Sequence, residues 1–164
     1  MHREGHLGAA LAMYAPIGFL AYVAGFPSFA VGGGIGAVLL AMLPDQDMRI
    51  PFLSHRGITH TVWFALLVGG ILGATVGYLA RETGTEEALA IGAFAFAVGF
   101  VTITSHIVAD ALTPMGVTPF TPFRRRKYTV SVATASNPIA NYALLVLGAA
   151  LAGGTLYLAT TVTG

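Results

Sequence analysis

Apolar residues along this chain come in long runs rather than at the period of two or 3.6 that marks half-buried strands and surface helices. Five runs, at residues of about 7–25, 27–43, 61–80, 88–110 and 139–162, approach the roughly 20 residues a helix needs to cross a bilayer. They predict an all-α, polytopic membrane helix bundle of about five transmembrane helices, with residues 1–164 forming a single integral membrane domain. The second run carries Gly32, Gly33, Gly34 and Gly36, small residues that let membrane helices approach closely. The fifth opens at Ser136-Asn137-Pro138, where Asn137 can cap and Pro138 fits the first helical position. The N-terminus has charge before an apolar stretch, as a signal peptide does, but lacks a convincing small-residue cleavage pattern, so it is read as a retained first span.

Composition strengthens the membrane reading. Of 164 residues, 55% are hydrophobic and 9% charged, against about 25% charged in an ordinary soluble domain. The formal net charge of +1 argues against bulk nucleic-acid binding, and the cluster Arg124, Arg125, Arg126 and Lys127 is too short to reverse that. It serves instead as a topology signal, with anionic lipid or substrate phosphate as a secondary use. With alternating crossings, Arg3, Arg49, Arg56 and this cluster share one side, and only Arg81 lies on the other. That asymmetry predicts a multi-pass protein of the inner or plasma membrane with its N-terminus in the cytoplasm and its C-terminus outside.

The remaining ionisable residues then fall into a pattern. His2 and His6 precede the first span, Asp45 and Asp47 follow the second, His55 and His60 precede the third, and His106 and Asp110 end the fourth. All five histidines and three of the carboxylates therefore meet at the predicted cytoplasmic face. His106 and Asp110, four apart on a helix, project from one face about 5–6 Å apart and can grip one cation. Pro44 is expected to end the second helix and set Asp45 and Asp47 on extended backbone, Asp45 turned inward. Gly57 breaks any helix between His55 and His60, and Thr59 is placed to cap the third span and aim His60 into the bundle. With no cysteine in the chain, a metal must be held by imidazole and carboxylate, which suits zinc, manganese or iron. For His2 or His55 taken alone, a packing or supporting role is expected. For Asp47, a solvated turn is an equal alternative.

The segments LPDQD, HRGITH and HIVADALTPMGVTPFTPF, with His6 near the start, resemble the YdjM-like inner-membrane metal-dependent hydrolases over the whole chain. The order of an early histidine, an aspartate, a histidine and H-x-x-x-D also resembles the first half of the zinc-dependent phospholipase C and single-strand nuclease superfamily. That second resemblance implies Asp45, His60, His106 and Asp110 around one zinc, with His6 and a shared Asp110 at a second. Those soluble enzymes carry further ligands downstream, whereas no histidine, aspartate or glutamate follows Asp110 here. A mononuclear or dinuclear site is thus expected.

The implied activity is metal-dependent hydrolysis, a phosphoester before an amide, of a lipidic or membrane-adjacent phosphorylated substrate. His6, Asp45, His60, His106 and Asp110 are the expected ligands, Asp47 or His55 a spare base, and Arg56 a stabiliser of developing anionic charge. A non-catalytic metal-binding protein or an ion transporter is the rival class. A transport path needs polar residues through the whole membrane, and these are gathered at one face. The proline-rich stretch with Pro114, Pro119 and Pro122 is expected to form an ordered re-entrant or surface loop over the site.

Overall fold

The computed structural model describes residues 1–164 and is helical, as the apolar runs predict: α1 (Arg3–Val23), α2 (Pro27–Leu40), α3 (Val62–Leu79), α4 (Thr85–Ala111) and α5 (Pro138–Thr163). Each is long and apolar enough to cross a membrane, the second when taken with the 3-10 turn that follows it, as Pro27–Arg49. No strand forms; Val117 and Tyr128 make one isolated antiparallel bridge.

The helices meet through small residues. α1 packs on α5 where Gly8 abuts the Leu144 backbone and Gly148 abuts Gly8 itself, leaving no room for a side chain at either glycine. α3 packs on α4 in the same manner: a β-carbon on Gly73 would lie 2.8 Å from the Gly92 carbonyl oxygen. Close backbone approach replaces the hydrophobic drive that lipid cannot supply between membrane helices. Large apolar side chains such as Leu39 and Ile139 are accordingly exposed on the outside. Tyr14 packs with Ala37 and Val98, and its hydroxyl donates to the Ala30 carbonyl at 2.6 Å.

The interior inverts a soluble core, for its fully buried large side chains are mostly polar: His6, His60, His106, Asn141, Asp47 and Asp110 among them. All belong to the end of the bundle where α1, α3 and α5 begin and α2 and α4 finish. Local capping sets this end. Asn137 accepts from the Ala140 amide at 3.1 Å with Pro138 opening α5, as expected.

Two local expectations are corrected. Thr61, not Thr59, caps α3, accepting from the Phe64 amide at 3.3 Å. Asp45 and Asp47 lie in the 3-10 turn Pro44–Arg49, not on extended backbone. Proline suits the first position of such a turn as well as it ends a preceding helix. The two carboxylates therefore do not follow the period-two alternation of a strand.

Candidate metal centre

Four segments deliver the inward groups: His6 from the first turns of α1, Asp45 from the Pro44–Arg49 turn, His60 from the 3-10 turn Ile58–His60, and His106 and Asp110 from the last turns of α4. His60 Nε2 lies 3.3 Å from Asp45 Oδ1 and 3.5 Å from Asp110 Oδ2. His106 Nε2 lies 3.2 Å from Asp45 Oδ1 and 3.9 Å from Asp110 Oδ2. His6 faces the other oxygen of each carboxylate, at 3.8 Å from Asp45 Oδ2 and 3.6 Å from Asp110 Oδ1. Its ring stacks on that of His106 with centroids 3.6 Å apart. One ligand atom each from His6, Asp45, His106 and Asp110 falls within 4.8 Å of all the others.

The outer nitrogens of two of the rings are already committed. His106 Nδ1 donates to the Ala41 carbonyl at 2.7 Å, which leaves Nε2 of a neutral ring with its lone pair turned inward. Thr59 gives its hydroxyl proton to Asp47 Oδ2 at 2.8 Å, and so receives the Nδ1 proton of His60 at 3.0 Å. His60 Nε2 is thereby an inward lone pair as well. Thr59 thus fixes a tautomer instead of capping a helix.

Several buried atoms have no protein partner: both ring nitrogens of His6, Asp45 Oδ1, Asp110 Oδ2, Arg56 Nε and, farther along α4, Thr104 Oγ1. Buried polar groups are almost always satisfied, so unpaired oxygens of two carboxylates converging on the His6 imidazole leave a place that a cation could fill. Neutral imidazole nitrogens and carboxylate oxygens are the donor set of zinc, manganese and iron. The residues present therefore fit a divalent metal. Burial alone would push the His60 imidazole down, but the Asp110 and Asp45 carboxylates beside its Nε2, with the charge of Asp47, outweigh burial and hold it above the ordinary histidine value. A negative pocket that attracts a proton attracts a metal ion for the same reason.

Residues 1–163 match the sequence pattern of the YdjM inner membrane protein family. The chain belongs to that family. No curated protein and no solved structure shows a significant match. The YdjM pattern thus spans all five helices and every residue of the centre.

The other expected site residues surround this group. Asp47 is buried, not a solvated turn: Oδ1 lies 3.1 Å from His55 Nδ1, and Oδ2 also accepts from the Arg56 amide at 3.2 Å. His55 is 39% exposed and its Nδ1 sits 4.0 Å from Asp45 Oδ1, at the edge of the pocket. Arg56 donates to Asp110 Oδ1 at 2.8 Å, to the Gly116 carbonyl at 3.0 Å and to the Thr113 hydroxyl at 3.2 Å. Both terminal nitrogens of its guanidinium are engaged by protein groups, and it holds the proline-rich loop against Asp110. That loop is ordered over the end of the bundle: Val62 donates to the Pro119 carbonyl at 2.9 Å and Val130 to that of Ala111 at 2.8 Å. His2 stands at the N-cap of α1, outside the groups that could hold a metal ion.

Sequence reasoning passes over Asn141. It is buried in α5, accepts from the His2 amide at 3.0 Å and donates to the Ala135 and Asn137 carbonyls at 2.9 and 2.7 Å. It pins the start of α1, and with it His6, to α5. An asparagine one turn into an apolar span is itself a signal, since an amide inside a membrane needs a partner on another helix.

Proposed function

We propose that this chain is a metal-dependent hydrolase of the inner membrane, with its site at the cytoplasmic face, acting on a phosphoester of a lipid or membrane-adjacent substrate. The observation that carries the reading is the convergence of three imidazole Nε2 atoms on the two carboxylates of Asp45 and Asp110. Asp45, His60, His106 and Asp110 would hold the principal divalent metal, with zinc the leading identity. His6 would share it or, with the remaining carboxylate oxygens, hold a second. Asp110 Oδ1 already receives Arg56, which favours one metal over two.

Held by these residues, a divalent metal would supply Lewis acidity toward a phosphoryl oxygen and lower the pKa of a bound water. The chain's residues supply the rest. Asp47 orients His55 through Nδ1, leaving Nε2 free of protein partners on a half-exposed side chain. His55 would then exchange a proton between the pocket and the outside. Arg56 keeps Asp110 turned toward the pocket and Thr59 keeps His60 in its ligating tautomer. The polar residues occupy one end of the bundle, as a surface-opening site requires and a path through the membrane does not.

The test is phosphate or headgroup release by the purified full chain, loaded with zinc or manganese, from a panel of phospholipids and phosphomonoesters. Turnover that His106→Ala abolishes, and that His55→Gln lowers about 10²–10⁴-fold with metal retained, is expected. Metal bound at full occupancy without turnover on any phosphoester would contradict hydrolysis and leave a metal that ties α1 to α4.

A further inference from the structure

The loops around the mouth expose a combination that the metal centre does not use. Phe52 is 94% exposed and Phe123 83% exposed, at the end of the bundle where polar loops would be expected. Trp63, at the start of α3, stands edge-on against Phe123 with ring centroids 5.4 Å apart and is itself 42% exposed. Arg124, Arg125, Arg126 and Lys127 follow Phe123 directly, all exposed, and none forms an ion pair with a carboxylate. The acids at this end offer them nothing: Asp45, Asp47 and Asp110 are buried in the site, and Glu4 is engaged in no salt bridge.

We propose that this rim, Phe52, Trp63, Phe123 and the Arg124–Lys127 cluster, is a binding surface for anionic phospholipid headgroups of the bilayer that holds the protein. Aromatic side chains settle at the level of the headgroups, where one end is apolar and the other wet. Basic residues at that depth attract anionic lipid, with a strength that falls off within a Debye length. Four unpaired cations beside exposed rings match an anionic lipid surface in charge and in polarity. An acidic soluble partner would satisfy the cations but leave Phe52 and Phe123 in water. The loop that carries the cations is braced from within, for Val117 and Tyr128 bridge its two arms and the Arg126 guanidinium lies 5.5 Å from the centre of the Tyr128 ring.

Trp63 is the chain's single tryptophan, so its fluorescence reports this rim alone. The full chain is placed in phosphatidylcholine bilayers containing a minor fraction of brominated phosphatidylglycerol or, separately, the same fraction of brominated phosphatidylcholine. Brominated phosphatidylglycerol should quench Trp63 several-fold more strongly, and high salt should remove the excess. Changing all four cations to glutamine should also remove it while quenching by brominated phosphatidylcholine persists, which shows that Trp63 has kept its depth. Equal quenching by the two lipids in the native chain would overturn the proposal, as would no quenching by either. Neither readout involves metal or turnover, so failure here leaves the proposed hydrolase reading untouched, and the converse also holds.

Discussion

The Nε2 atoms of His60 and His106 stand 3.2 Å apart in the interior of the protein, each with its ring's other nitrogen already hydrogen-bonded. Two lone pairs at that distance repel unless a proton or a metal ion lies between them. The flanking carboxylates of Asp45 and Asp110 make a cation the natural occupant.

Thr59 should matter to metal affinity although it is no ligand. Thr59→Val removes the acceptor of the His60 Nδ1 proton and the donor to Asp47, freeing the ring to turn or change tautomer. Losing such an outer-shell partner typically costs about 10–100-fold in metal affinity. Competition against a chromophoric chelator would measure it, and Thr59→Ser should restore most of the loss. Unchanged affinity in the valine variant would show that the Thr59 chain does not orient His60.

Metal uptake should release protons, because the pKa of His60 is raised in the metal-free protein. A raised pKa means that the proton competes with metal from a higher pH than for an ordinary imidazole near 6.5. Apparent affinity should therefore fall as pH drops through neutrality, beginning above 6.5, and recover as pH rises. Titrations in buffers of different ionisation enthalpy would count the protons, and an affinity flat from pH 8 to 6 would contradict the assignment.

The contact between α1 and α5 should be intolerant of bulk. Gly8→Leu inserts a side chain where the Leu144 backbone already lies, and overpacking of this kind costs about 1–3 kcal/mol, more where backbone must move. Gly153 has open space around it, so Gly153→Leu is the matched control. Thermal unfolding in detergent should separate the two variants, with the lower midpoint in Gly8→Leu. Equal midpoints would show that this packing is not structural.

Much of this is legible in the sequence because lipid imposes long apolar runs, and any polar residue at their ends then stands out. His106 and Asp110 can be paired by helical spacing alone, and His6, Asp45 and His60 by their common end of the bundle. Their supports cannot be read in that way. Thr59 looks like a cap because Ser and Thr before an apolar run usually cap, yet Thr61, two residues on, accepts from the Phe64 amide of α3 and leaves Thr59 to Asp47 and His60. Arg56 looks like a free cation for developing charge, but its partners Asp110, Thr113 and Gly116 are more than fifty residues away along the chain. Its backbone has φ 61, a turn that a sequence pattern does not announce for arginine. Periodicity reports which face is apolar, not which hydroxyl or guanidinium meets which distant carbonyl.

One divalent metal shared by Asp45, His60, His106 and Asp110 is the arrangement proposed. Its most direct test is metal content per chain by elemental analysis of protein purified without chelator, with X-ray absorption at the metal edge to read the ligands. Close to one zinc, manganese or iron per chain is predicted, in a shell of imidazole nitrogen and carboxylate oxygen, falling to background in the His106→Ala, Asp110→Ala double variant while His2→Ala keeps the metal. A well-folded native chain that binds no transition metal when one is supplied, or a metal that survives the double substitution, would contradict it.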